Sequence, residues 1–425
     1  MFAVAIFAFL IVSVILGAPM ILGFAASGLL PLLLGADAYT LADFITWIFN
    51  GNSNTYLAIA FFIVSGNLMS QGNISDKVYE LFAYFLGNKR GFLPICALLT
   101  ATFYGMVSGS AVAVTAAVGS LCLPILNKAG YDKRYFAALL CAAGCLGMII
   151  PPSTTVIQAC GYAGLEDIVV PYRVAMAVGL TAMVFLMICS LIHTRKDTGN
   201  MEVIEEEFQE RRKKGLLHVF GESIWAMLVP IIILGSIFTS TFTAPEAAAV
   251  ATVYCAIVAV YIYKTLTWKQ VWQIILGSIK TFAPLCVTMA LGVAFGTVVT
   301  STGANEFVTV MLENSAMTGA TFMVLTVVVM SLAGFFMSSI GIVVPLLVPV
   351  AVQLNVDLNV WCAVAAAASA FSLVTPPYGY GLMIMAPMAG VPLGTLFKKV
   401  LPFWIGLTVI ALLYAGVPAL SAWLL

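Results

Sequence analysis

Two proline pairs, Pro151-Pro152 and Pro376-Pro377, lie 225 residues apart in this chain of 425 residues. Each interrupts a long apolar stretch. Successive prolines remove two backbone donors and clash with the preceding helical turn. The residue before each pair, Ile150 or Thr375, is pushed toward extended backbone. The helices expected near 137–163 and 360–388 must therefore break midway and leave carbonyls without donors. Free carbonyls suit a hard cation such as Na⁺. Hydroxyls and amides surround them: Ser153, Thr154, Thr155 and Gln158 in the first case, Ser369, Ser372, Thr375, Tyr378 and Tyr380 in the second. The plainer alternative is a kink that only shapes packing.

Two more apolar stretches, 92–127 and 321–353, carry small polar residues at their centres. The first holds Ser108, Gly109, Ser110 and Thr115; the second holds Gly334, Ser338, Ser339 and Gly341. Read as hairpin tips, they would lie close to the broken helices and offer helix N-termini to an anion. Close helix packing through small residues is the competing explanation. The four interrupted stretches, 92–127, 137–163, 321–353 and 360–388, contain no carboxylate, His or cation. Proton relays, metal catalysis and transition-metal binding therefore have no groups to work with. No Gly-rich phosphate loop is present, and nothing acid–base points to an enzyme.

The elements that must position these groups follow from charge. Only 8% of residues are charged, 62% are hydrophobic, and the 18 basic residues balance 18 acidic ones. Charge-free runs long enough to cross a bilayer recur along the chain. The expectation is an all-α polytopic membrane protein, and a nucleic-acid binder is excluded. The nine cysteines (Cys96, Cys122, Cys141, Cys145, Cys160, Cys189, Cys255, Cys286 and Cys362) lie in apolar segments and read as packing residues. If 92–127 and 321–353 each enter and leave on one side, 17 of the 18 basic residues share a side, with Arg173 the exception. Double crossings would give the same sides. Both termini are then periplasmic in a bacterial inner membrane.

The halves repeat. At an offset of 225, Gly109/Gly334, Pro124/Pro349, Asp132/Asp357 and both proline pairs fall in register, within 10 identities over 44 positions. A weaker match sets 66–73 beside 296–304. The halves are inverted, which together with discontinuous helices marks secondary transporters. The expected organisation is 1–72 N-terminal scaffold spans, 73–91 an interfacial amphipathic arm, 92–170 a first transport half, and 171–192 a span. After these come 193–222 as a cytoplasmic linker, 223–312 as scaffold spans, 313–392 as a second transport half and 393–425 as a C-terminal span. The linker is expected to be a solvated connector.

The stretches SGSAVAVTAAVGSLCLPIL (108–126), GCLGMIIPPSTT (144–155), GFFMSSIGIVVPLLVPV (334–350) and SLVTPPYGYGL (372–382) resemble the large membrane subunit of tripartite ATP-independent periplasmic transporters. That resemblance covers essentially the whole chain. It implies an elevator fold in which a transport domain of re-entrant hairpins and broken helices slides past a scaffold. It implies sodium-coupled uptake of a small organic anion, a carboxylate or sulfonate. It also implies a periplasmic substrate-binding protein and a small four-helix membrane subunit as partners, within the lipid bilayer. By motif position, sodium falls to Ser108, Ser110, Gly147, Pro151, Gly334, Met337, Ser372 and Thr375, with Gly109 beside them. The substrate falls to Ser108, Gly109, Ser110, Ser153, Thr154, Ser338, Ser339 and Tyr378. Where the family commonly carries carboxylates, this chain has Asn67, Val114 and the Ser338–Ser339 pair, so no ion stoichiometry is carried over. A single-component sodium-coupled dicarboxylate or oxyanion transporter is the alternative, and an ion channel ranks below it.

Overall fold

The computed structural model describes residues 2–16, 18–49, 53–72, 74–89, 91–196, 199–303, 317–335, 338–376, 379–417 and 419–422. In hydrocarbon, backbone groups must be satisfied within the segment, so charge-free runs become helices. The described elements are all helical. They are α1 (Phe2–Ile15), α2 (Met20–Leu33), α3 (Leu41–Phe49), α4 (Ser53–Gln71), α5 (Ile74–Leu86), α6 (Phe92–Ser108) and α7 (Ala111–Lys128). Then follow α8 (Lys133–Ile149), α9 (Thr154–Tyr162), α10 (Val169–Thr194), α11 (Met201–Lys213), α12 (Leu216–Phe238) and α13 (Ala244–Ile257), whose last turn relaxes to π-helix. The second half continues with α14 (Trp268–Ser301), α15 (Gly319–Ala333), α16 (Ser339–Gln353), α17 (Leu358–Ser372), α18 (Tyr380–Ala389), α19 (Leu393–Gly416) and α20 (Ala419–Ala422). Six of the described helices are long and apolar enough to cross a membrane, or up to eight if each bent pair counts as one span.

The repeat is visible in element boundaries. Helix α8 and helix α17 each begin on a matched aspartate: Asp132 accepts from the Arg134 N–H at 3.0 Å, and Asp357 from the Asn359 N–H at 2.8 Å. The shared Asp is an N-cap, which explains its register. Asp132→Ala and Asp357→Ala should each lose about 1 kcal/mol of stability, seen as a lower melting temperature in detergent with uptake largely retained.

Helices α8 and α17 form the centre. Residues Phe136–Leu146 and Trp361–Ser372 are all buried. Around α8 pack α6, α7, α10, α18 and α19; around α17 pack α9, α10, α15 and α16. The halves interlock: α9, after the first break, lies against α16 and α17, while α18, after the second, lies against α7 and α8. Trp361 is fully buried, and its indole N–H is satisfied by Thr326 Oγ1 at 3.1 Å. An outer layer of α4, α12, α13 and α14 carries the N-terminal helices, with a second apolar cluster joining Ile6, Leu10, Phe24 and Phe44 to Phe295.

The structure departs from the sequence reading in three places. The short helix α3 was not expected. Helix α14 starts at Trp268 and runs for 34 residues, so Lys269 and Lys280 sit on a helix rather than in a loop. Its last 21 residues alone span about 31 Å, so the charged first part extends beyond what a bilayer core requires. The polar linker is no solvated connector. It folds into α11, burying Ile204 and Phe208. Arg211 lies over the Tyr79 ring and Arg212 over Tyr84, while Lys214 pairs with Glu80 and Lys128 with Glu207. Helix α5 occupies the 73–91 stretch, and Lys77–Glu222 (2.7 Å) and Ser223 Oγ to the Lys77 carbonyl (2.7 Å) tie it to α12.

Candidate substrate and ion site

The first break runs from Ile150, extended at φ −72° and ψ 121°, to Ser153 at φ −114° and ψ 117°. Pro151 and Pro152 have no N–H to return to the carbonyls of Gly147 and Met148. Ser153 repairs part of this. Its hydroxyl donates to the Met148 carbonyl and accepts from the Val156 N–H at 3.1 Å, capping α9. Its proton is thus spent on the break itself. Thr154 Oγ1 donates to the Gly109 carbonyl at 3.1 Å, which fastens the α6–α7 turn to the broken helix.

That turn is only two residues long. Gly109 takes the left-handed conformation at φ 57°, which a side chain resists. Ser110 caps α7 by accepting from the Ala113 N–H at 3.4 Å, and Ser108 is buried with its Oγ 3.5 Å from the Ser110 N–H. Ser108, Gly109, Ser110, Pro151, Ser153 and Thr154 therefore form one cluster.

The second break has a similar clasp built from different atoms. Ser339 Oγ donates to Ser369 Oγ at 2.9 Å. Ser372 Oγ donates to the Ser369 carbonyl at 2.7 Å, and Thr375 returns both its N–H (3.1 Å) and its hydroxyl to the Ser372 carbonyl. Gly334 presses on this turn so closely that a β-carbon would fall 1.8 Å from Ser372 Oγ. Gly334, Ser339, Ser372 and Thr375 thus come together, with Ser338 half-buried nearby. Met337 and Tyr378 lie outside the described residues.

Gly147 has a packing job as well. A β-carbon there would meet Val114 Cγ2 at 2.6 Å and Gly105 Cα at 2.8 Å, where α6 crosses α8. Gly147→Ala should cost about 1–3 kcal/mol by overpacking, read as reduced yield and melting temperature of the purified subunit. A variant of unchanged stability would show that the crossing relaxes easily.

Among the buried hydroxyls without a hydrogen-bond partner in the described residues are Thr115, Thr155 and Tyr162. An unpaired buried hydroxyl costs about 1–3 kcal/mol. Thr155 sits in the first turn of α9 beside the break. Tyr162 was not singled out by sequence, because a tyrosine ending an apolar helix reads as packing. Only the fold brings its hydroxyl 3.8 Å from where a β-carbon on Gly341 would stand.

The chain is similar to known proteins over nearly its whole length. The family model described as "Tripartite ATP-independent periplasmic transporter, DctM component" matches residues 3–420. The C4-dicarboxylate TRAP transporter large permease protein DctM of Pseudomonas aeruginosa is 28% identical over 375 residues, covering 86% of this chain and 85% of that one. The isethionate TRAP transporter permease protein DctMQ of Oleidesulfovibrio alaskensis is 28% identical over 372 residues, covering 86% of this chain and 57% of that longer one. Among solved structures, MtrF of Neisseria gonorrhoeae, described with a class of antimetabolite efflux pumps, aligns with a TM-score of 0.63 at 14% identity, covering 89% of this chain and 83% of that one. This last likeness is one of fold.

Proposed function

The chain belongs to the DctM-component family of tripartite ATP-independent periplasmic transporters, and from that premise we propose that it imports a small organic anion, a carboxylate or sulfonate, driven by sodium. It would act with a periplasmic substrate-binding protein and a small four-helix membrane subunit. In this reading it lies in a bacterial inner membrane with its basic loops cytoplasmic and both termini periplasmic. Helix pairs α6–α7 and α15–α16 are re-entrant hairpins, and they move with the broken helices as an elevator.

One observation carries the reading: each half fastens a hairpin turn to its own broken helix, through Thr154–Gly109 in the first and Ser339–Ser369 in the second. Such a clasp couples cation binding at the break to the order of the tip. Sodium would take backbone oxygens about the two breaks, at Gly147 and Pro151 and around Ser372 and Thr375, with Ser108, Ser110, Gly334 and Met337 at the tips. Ordered tips at Ser108–Ser110 and Ser338–Ser339, with Tyr378, would then receive the anion, while Ser153 and Thr154, whose hydroxyls donate to the Met148 and Gly109 carbonyls, would shape the site. An ordered tip admits substrate only if the loaded and empty states differ in free energy, which bound ligand supplies. The relatives named for C4-dicarboxylate and isethionate support a compact acid as cargo.

The test is uptake into proteoliposomes holding this subunit and the small subunit, with the binding protein added outside. Uptake should require both a sodium gradient and the binding protein. Uptake without the binding protein would instead support a single-component carrier, and entry that ignores sodium would sink the coupling.

A further inference from the structure

A cavity of about 520 Å³ lies between the junction of α4 with α5 and the first hairpin. Its wall on α7 carries Ala113, Ala116, Ala117 and Ser120, which fall at i, i+3, i+4 and i+7 and so share one face. Side chains this small leave the face unfilled. The opposite wall carries Ser70, near the end of α4, and Asp76, in the first turn of α5.

Asp76 is the one carboxylate lining this cavity, and it makes no ion pair or hydrogen bond among the described residues. Its basic neighbour Lys77 is taken by Glu222 at 2.7 Å, and its acidic neighbour Glu80 by Lys214 at 2.8 Å. Those pairs cancel and leave one negative charge facing the cavity. Burial, and then Glu80, push the Asp76 carboxyl above its ordinary pKa against the opposing pull of Lys77.

A second group points to the same place. Tyr104 of α6 is fully buried, and its hydroxyl lies beside Ser70 and Asp76. It has no hydrogen-bond partner of ordinary length among the described residues, a costly state for an interior hydroxyl. Ser120 Oγ donates to the Ala117 carbonyl at 2.9 Å, which leaves its lone pairs for a ligand. The dipole of α5 accounts for an acid in its first turn. It accounts neither for the Tyr104 hydroxyl nor for the bare face of α7.

We propose that Asp76, Tyr104 and Ser70 hold a monovalent alkali cation, Na⁺ or K⁺, in this cavity. The donors are all oxygens, as a hard cation requires, and one carboxylate balances one positive charge. A calcium-type site draws several carboxylates, and no group of three His, Cys, Asp or Glu able to hold a metal occurs among the described residues. The cavity starts at Ala113, three residues past Ser110, and reaches Ser120, about 14 Å along α7 from its first residue. The site is therefore apart from the two breaks and does not rest on the transport reading. On that reading, the cation stands between the first tip and the basic-loop face.

The test reads Asp76 directly, in membrane vesicles that hold the full chain. Dicyclohexylcarbodiimide modifies sheltered carboxyl groups, and peptide mass spectrometry follows its reaction at Asp76. Sodium chloride, with choline chloride holding ionic strength constant, should slow that reaction at least threefold and leave the helix cap Asp132 unchanged. Protection by sodium alone assigns a sodium site, and protection by potassium as well assigns a general alkali site. Tyr104→Phe and Ser70→Ala should each cut the protection at least twofold. A second measurement needs no reagent: the rise in melting temperature with sodium or potassium should shrink at least twofold in Asp76→Asn. The site is refuted if neither cation protects Asp76, if Asp132 is protected equally, if calcium protects at lower concentration than sodium, if Tyr104→Phe leaves protection unchanged, or if the melting temperatures of parent and Asp76→Asn rise equally. Sodium-driven uptake with Asp76 unprotected defeats this site and leaves the transport reading standing. Protection without such uptake supports the site and defeats only the transport reading.

Discussion

Gly334→Ala should abolish measurable uptake, and the double variant Gly334→Ala/Ser372→Gly should recover folding without recovering sodium dependence. The added methyl group would stand 1.8 Å from Ser372 Oγ and 2.2 Å from Ser372 Cβ, with the Met330 carbonyl oxygen at 3.2 Å on its other side. Ser372 is fully buried, and its hydroxyl is held by the Ser369 carbonyl. It cannot rotate away without losing that bond. The tip must therefore lift off the break, at a cost of about 1–3 kcal/mol for overpacking and more if the Ser372 hydroxyl is left unpaired. Removing the Ser372 side chain removes the obstructing atoms, so a cycle of the single and double variants isolates the contact. The measurements are melting temperature in detergent and initial uptake rate against sodium. Full recovery of sodium dependence in the double variant would show that Gly334 only packs and that the Ser372 hydroxyl has no part in ion binding.

Much of this site was legible because proline and aspartate leave few options. A Pro-Pro pair within an apolar run has to break its helix, and Ile150 is extended for that reason. Asp132 and Asp357, repeated at the same offset, had to do one job, and both cap helices. The roles of the serines were not legible. Ser153 and Ser110 look alike as small hydroxyl residues near a break or a tip, and both cap a helix, but Ser153 alone of the two also bridges the break. Sequence fixes their type and leaves open which backbone atom comes within reach. The docking of α11 was hidden for a different reason. Its mean hydropathy is low because only a few apolar residues, Ile204 and Phe208 among them, face the protein, and the arginines gain their hold by lying over Tyr79 and Tyr84 on a distant helix. The length of α14 was hidden because the charge-free run begins only after Lys280, while the helix itself starts at Trp268.

Thr154→Val should weaken sodium activation of uptake about tenfold while leaving the fold intact. Valine keeps the branched shape of threonine and removes only the hydroxyl. In the structure that hydroxyl donates to the Gly109 carbonyl at 3.1 Å and is the bond that joins the first hairpin tip to the broken helix. Losing it leaves a buried carbonyl without its donor, which costs about 1–3 kcal/mol. Because Gly109 sits at the turn between two helices that pack firmly on α8, the cost falls on the order of the tip rather than on the packed arms. If sodium binds only when the tip is ordered, a penalty of about 1.4 kcal/mol appears as a tenfold higher sodium requirement. Thr154→Ser keeps the donor and should stay within about threefold of the natural protein. The readouts are the sodium concentration for half-maximal uptake and the melting temperature without sodium. A melting temperature that falls while the sodium requirement stays fixed would assign Thr154 to packing, and the clasp would then play no part in coupling.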